Sequence, residues 1–208
     1  MAKTNFFKTT LFKCLASLLA IALIASGLLA VLNDLLYVDD ATRTARAIKK
    51  IYGREVSAYS IVLPSESVTE LNYANGTIDK VYVVDGETLD KYDVLIHSTG
   101  IQGYKGGTIT LWIKVSVTED LTAISPVITK KIDKVIVDGY TKQTLMSKIG
   151  EKFLSKFYVD ITDNYNGIFS IEDASLKEPV TGATKSGNAV CNAVNCALEY
   201  MSTWGGRA

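Results

Sequence analysis

One histidine, three cysteines and three prolines in 208 residues leave little material for several common kinds of site. His97 alone cannot build a multi-histidine zinc centre, and it limits any triad to Ser or Cys partnered by that one ring. Three cysteines are too few for a disulfide scaffold. Cys191 and Cys196 are five residues apart on a predicted helix, about 7.5 Å along its axis and on different faces, so they cannot bridge one another. With Cys14 in an apolar run and no C-x-x-C pair, packing is the expected role of all three. The scarcity of proline excludes a proline-rich linker. Net charge is missing as well: 22 basic and 22 acidic side chains cancel, which excludes a nucleic-acid binder working by phosphate neutralisation. Hydrophobic residues at 48% exclude a disordered chain.

The cancelled charge is an average of unlike parts. Residues 1–32 hold Lys3, Lys8 and Lys13 and no acid, so residues 33–208 carry 19 bases against 22 acids. From Cys14 to Leu32 the chain reads CLASLLAIALIASGLLAVL, without a charge. These nineteen residues make roughly 28 Å of helix, the thickness of a bilayer's hydrocarbon layer. Leu35, Leu36 and Tyr37 extend the span to the far interface. A cleaved signal peptide has a shorter apolar core, about 7–15 residues, ending at a small-residue site. No such site ends this run, and no cysteine follows it to accept a lipid, so a retained transmembrane anchor is expected. Lysines before the span and Asp34, Asp39 and Asp40 after it favour a cytoplasmic amino terminus. Arg43, Arg46, Lys49 and Lys50 follow closely and weaken that count.

The expected organisation is a tail and span over 1–37, a stalk over 38–55 and one domain over 56–208. VDDATRTARAIKK (38–50) reads as helix. SAYSIVL (57–63), DKVYVV (79–84), YDVLIH (92–97) and the alternating TITLWIKVSV (108–117) read as strands, and LTAISPVITKKIDKVIV (121–137) as one or two more. TLMSKIGEKFLSKF (144–157) has Leu145, Ile149 and Phe153 at helical spacing. In the last segment Val190, Ala193, Val194, Ala197, Leu198 and Met201 form a full amphipathic stripe. Strands followed by helices predict an α+β fold with an antiparallel or mixed sheet flanked by helices.

Three stretches could carry chemistry. His97 stands beside Ser98 and Thr99, but no nucleophile elbow accompanies it, and a strand-end histidine with a satisfied side chain is the expectation. Gly100-Ile-Gln-Gly103-Tyr-Lys-Gly106-Gly107 is neither G-x-G-x-x-G nor a Walker loop. It serves either as a hairpin loop needing positive φ or as a close approach to a ligand, with Tyr104 to stack and Lys105 to pair with an anion. Thr181-Gly182-Ala183-Thr184-Lys185-Ser186 lies directly before the amphipathic helix, where the helix dipole and unpaired amides favour a phosphate. Thr184 or Ser186 could equally be an N-cap.

T-G-A-T-x-S followed by A-V-x-x-A-V-x-x-A-L resembles the flavinylation site of the FMN-binding-domain family. That family includes the G subunit of the Rnf ion-translocating electron transport complex and the C subunit of the sodium-pumping NADH:quinone reductase. Its motif is close to D-x-x-[ST]-G-A-[TS], with FMN esterified by a flavin transferase onto the last hydroxyl. Carried over, that residue is Thr184, with Thr181, Gly182, Ala183, Lys185 and Ser186 around it; the acidic position falls on Glu178. The family's G-Y-x-G turn before an alternating strand matches Gly103-Tyr104-Lys105-Gly106. Its E-T-P-G-L-G segment is similar to Gln143-Thr144-Leu145-Met146, where Gln replaces Glu and the Pro is absent. Both segments are implied contacts of the flavin ring. The resemblance implies a redox subunit with covalent FMN and no substrate of its own, exoplasmic on the cell (inner) membrane. Its partners would be the other subunits of an Rnf-type ferredoxin:NAD oxidoreductase and the maturing transferase. A stand-alone extracytoplasmic electron carrier and a flavin-free structural or assembly subunit remain the alternatives.

Overall fold

The computed structural model of the chain describes residues 10–56, 60–65, 67–120, 122, 127–161 and 169–206. The chain divides after Arg46 into two compact units. The first contains helix α1 (Thr10–Leu36), which has no charged side chain between Lys13 and Asp34. Phe12–Leu36 is long and apolar enough to cross a membrane, and none of its apolar window is buried in the protein. Helix α2 (Asp40–Tyr52) starts behind an Asp39 side chain that accepts from the Thr42 amide at 3.1 Å. The boundary between units falls inside α2.

The second unit is built on one antiparallel sheet. Its strands are β1 (Ser60–Leu63), β2 (Leu71–Tyr73), β3 (Gly76–Asp85), β4 (Lys91–Gly100), β5 (Ile109–Asp120), β6 (Val127–Tyr140) and β7 (Asp160–Ile161), in the order β1-β3-β4-β5-β6-β7, with β2 also on β3. Every pairing is antiparallel, which removes the mixed alternative. The expected α+β class holds. The central strands are apolar on both faces because both faces are covered. Val94 and Ile96 on β4 belong to the larger core, while Leu95 between them packs in a second cluster with Ala47, Ile48, Ile51, Tyr82 and Trp112.

The larger core is closed by helix α5 (Thr184–Ser202). Its small-residue stripe Ala189, Ala193 and Ala197 is almost fully buried, which lets the helix backbone approach the sheet closely. Gly100 marks the nearest approach: a Cβ there would lie 1.9 Å from the Ala189 carbonyl oxygen and 2.5 Å from the Ala193 nitrogen. Nearby, the buried Ser98 hydroxyl donates to the Ala193 carbonyl at 2.8 Å. At the far end the buried Lys130 ammonium donates to the Met201 carbonyl at 3.1 Å, a cation at the negative end of the helix dipole.

Several expectations change. The strand containing His97 runs on through Ser98 and Thr99 to Gly100. Residues 57–59 of the expected first strand, and 121 and 123–126 before β6, lie outside the described residues; 127–140 is a single strand. The helix expected over 144–157 is broken into a 3-10 turn at Met146–Lys148, helix α3 (Glu151–Leu154) and a second 3-10 turn at Ser155–Phe157. Ile149 (ψ 66°) and the extended Gly150 interrupt it. The apolar spacing still places Ile149, Phe153 and Phe157 in the core, whereas Leu145 is 42% exposed. One further short helix, α4 (Ala174–Lys177), precedes a 3-10 turn at Glu178–Val180.

Candidate functional site

The start of α5 is built without a side-chain cap. Gly182 takes φ +86°, a conformation that favours glycine, and turns the chain so that Ala183 becomes the N-cap and Thr184 the first helical residue. Thr184 and Ser186 are therefore not N-caps, contrary to one of the two sequence expectations. The first intrahelical bond is from the Gly187 amide to the Ala183 carbonyl at 2.9 Å, which leaves the amides of Thr184, Lys185 and Ser186 without an intrahelical acceptor. A Cβ on Gly187 would lie 2.7 Å from Ile171 Cδ1, so that side chain would have to shift.

An open cleft of ≈ 340 Å³ lies at this helix start. Its lining comes from three separated parts of the chain: Gly182–Ser186, Tyr104 from the β4–β5 loop, and Thr144 with Leu145 after β6. Each of these residues is among those singled out from the sequence. Tyr104 and Leu145 are 37% and 42% exposed, so the cleft has an aromatic face and an aliphatic one open to solvent.

Gln143 holds the three segments in register from behind the cleft. Its Oε1 accepts from the Ser186 hydroxyl at 2.7 Å and from the Tyr104 amide at 3.1 Å, while its Nε2 donates to the Thr141 carbonyl at 2.9 Å. It is 9% exposed and does not line the cleft. An amide can serve both kinds of partner, whereas a carboxylate has no proton to offer Thr141. A Cβ on Gly103 would lie 2.5 Å from Nε2, and one on Gly107 would lie 2.1 Å from the Thr141 carbonyl oxygen and 2.6 Å from Nε2.

The other expected residues shape the surroundings. Gly103 is extended; the positive φ values of its loop fall on Gln102, Lys105 and Gly106. Lys105 Nζ lies 5.4 Å from the Tyr104 ring centroid. The Thr181 hydroxyl donates to the Glu178 carbonyl at 3.0 Å and closes the preceding 3-10 turn. Asn188 and Asn192 donate to the carbonyls of Gln102 and Ile101 at 3.3 and 2.8 Å, fastening the loop to α5. Sequence reasoning passed these two over. Their signal was two amides four apart, on one face of the helix.

His97 lies on the opposite face of the sheet from α5, beside Trp112 with ring centroids 4.4 Å apart. Its Nδ1 is 2.5 Å from Asp79 and its Nε2 3.1 Å from Asp138. Burial favours the neutral ring, but the bonds to Asp138 and Asp79 outweigh it and raise the pKa. With both nitrogens occupied, His97 has no free nitrogen to serve as a base for the neighbouring Ser98, whose hydroxyl is itself spent on α5. Among the described residues no group of His, Cys, Asp or Glu is placed to hold a metal ion.

The cleft offers an anion the helix amides, Lys185 and two threonine hydroxyls, and offers a flat ring Tyr104 and Leu145. Its volume falls within the range of small-molecule sites, about 300–1,000 Å³. No protein-family model, curated protein or solved structure matches the chain.

Proposed function

We propose that the chain is a membrane-anchored electron-transfer subunit of an Rnf-type complex carrying FMN esterified to Thr184. One observation carries this: Thr184, Tyr104 and the Thr144–Leu145 pair, distant in sequence, line one cleft at an uncapped helix start. The residues present suit the group. The unpaired amides of Thr184–Ser186 and the charge of Lys185 beside the cleft suit a phosphodiester, for which the Thr184 hydroxyl would supply the ester oxygen. Tyr104 and Leu145 offer the apolar contact a planar ring needs. Bound FMN would supply the one-electron chemistry; the protein holds it, orients it and sets its surroundings. Ala183 and Gly182, without bulk, leave the Thr184 oxygen accessible to a flavin transferase. Lysines ahead of α1 and acids just after it support a body outside the cytoplasm.

Mass spectrometry of the tryptic peptide Glu178–Lys185 from natively expressed chain tests this directly. The peptide should carry the mass of FMN as a phosphoester. An unmodified peptide from cells whose transferase modifies another protein would refute the proposal. Co-purification of further membrane subunits distinguishes a complex from a stand-alone carrier.

A further inference from the structure

We infer that the exposed side of α2 binds anionic phospholipid headgroups of the bilayer that holds α1, through Arg43, Arg46, Lys49 and Lys50. The inference rests on α1 spanning a membrane and not on the flavin. At 3.6 residues per turn, Ala47, Ile48 and Ile51 share one side of α2, and the four bases occupy the other. The first three are buried, at 6%, 2% and 6% exposure, while all four bases are exposed. Because Ile48 and Ile51 pack with Leu95 and Trp112, that side is not available for insertion into lipid. The exposed side of the helix therefore offers charge, not apolar surface.

Chain length keeps the start of α2 within reach of the lipid surface. Only Tyr37, Val38 and Asp39 separate the last residue of α1 from the first of α2, a reach of at most about 14 Å even when extended. Arg43 follows one helical turn later. The charge is also concentrated there. Residues 37–54 hold five bases and two acids, whereas residues 55–208 hold fourteen bases and nineteen acids. One competing ion pair is open to solvent. Lys49 pairs with Glu55 at 2.9 Å, but both side chains are more than half exposed, so water and headgroups exchange with the pair readily. Asp39 accepts from the Thr42 amide at the helix start.

The test uses the full chain in lipid nanodiscs of phosphatidylcholine alone or with about a third phosphatidylglycerol, a composition that gives a strongly negative surface. A water-soluble acylating ester labels exposed amines, and mass spectrometry reads the rates at Lys49 and Lys50 against Lys80 and Lys91 as references. Each base near an anionic surface adds about fivefold to binding. Labelling of Lys49 and Lys50 should slow several-fold in the anionic discs, with the references unchanged, and the protection should vanish in molar salt. Arg43→Glu/Arg46→Glu should abolish it. Equal labelling in the two disc types, or protection that survives the double substitution, overturns the inference while leaving the anchor intact. A chain that stays outside the discs overturns the anchor and the inference together.

Discussion

The Ser186 hydroxyl donates to Gln143 Oε1 at 2.7 Å, joining the first turn of α5 to a segment 43 residues earlier. Both side chains are buried, and the same oxygen accepts from the Tyr104 amide. Removing the two ends of this bond should have unequal effects. Ser186→Ala deletes one donor and leaves Gln143 bonded to Tyr104 and Thr141, a loss of about 1 kcal/mol. Gln143→Ala strands the Ser186 hydroxyl, the Tyr104 amide and the Thr141 carbonyl together, and should cost about 3 kcal/mol. Denaturant unfolding of both variants checks this; equal losses would show that Gln143 does not organise the cleft.

Two glycines separate strain from clash. Gly100→Ala places a methyl 1.9 Å from the Ala189 carbonyl oxygen, backbone against backbone, and should cost about 3 kcal/mol by forcing α5 from the sheet. Gly182→Ala meets no atom within 4 Å, and its cost is that of φ +86°, about 1 kcal/mol. Melting temperatures of the two variants should fall in that order.

His97 gives the fold a pH dependence with a definite sign. Its folded pKa is raised above the ordinary 6.5, since hydrogen bonds to Asp138 and Asp79 outweigh burial. The clamp is therefore at full strength below 6.5 and weakens as pH rises through the folded value. Asp138 is held below its ordinary 3.8, chiefly by its bond to His97, so its share is lost as pH falls through that lowered value. As the chain has one histidine, its imidazole NMR titration is unambiguous. A midpoint at or below 6.5 would contradict the clamp. His97→Gln should flatten the stability profile on the alkaline side.

Thr184→Val keeps the β-branched shape of the first helical residue and removes its oxygen. In-gel flavin fluorescence should vanish in this variant and persist in part in Thr184→Ser. Fluorescence surviving in the valine variant would place the attachment elsewhere.

The strands of the sheet and helix α5 were readable because their patterns are local. TITLWIKVSV alternates at period two, and Val190 to Met201 recur at helical spacing. The stretch 144–157 misled for the same reason. Its apolar spacing buries Ile149, Phe153 and Phe157 as a helix would, but Gly150 breaks the hydrogen-bonded run between them. At the cleft the motifs were visible separately, and their convergence was not. Convergence depends on Gly100 admitting α5 against β4 and on Gln143 reaching both Tyr104 and Ser186, contacts that no periodicity encodes. The loop glycines were legible as glycines but not in their purpose. Gly103 yields space to a side chain 40 residues away, while non-glycine Gln102 and Lys105 take the left-handed turns.

Helix α5 is held at its start by Gln143, at its middle by Ser98 and at its end by Lys130. It behaves as a post sunk in the sheet, with Thr184 at its tip. A cofactor esterified there would have the torsions of one threonine and its own chain as its whole leash. It would sweep a volume fixed by that leash and could not travel between redox partners. Donor and acceptor would each have to dock within the leash's radius, so the traffic of electrons would be set by whichever protein surfaces come to the post.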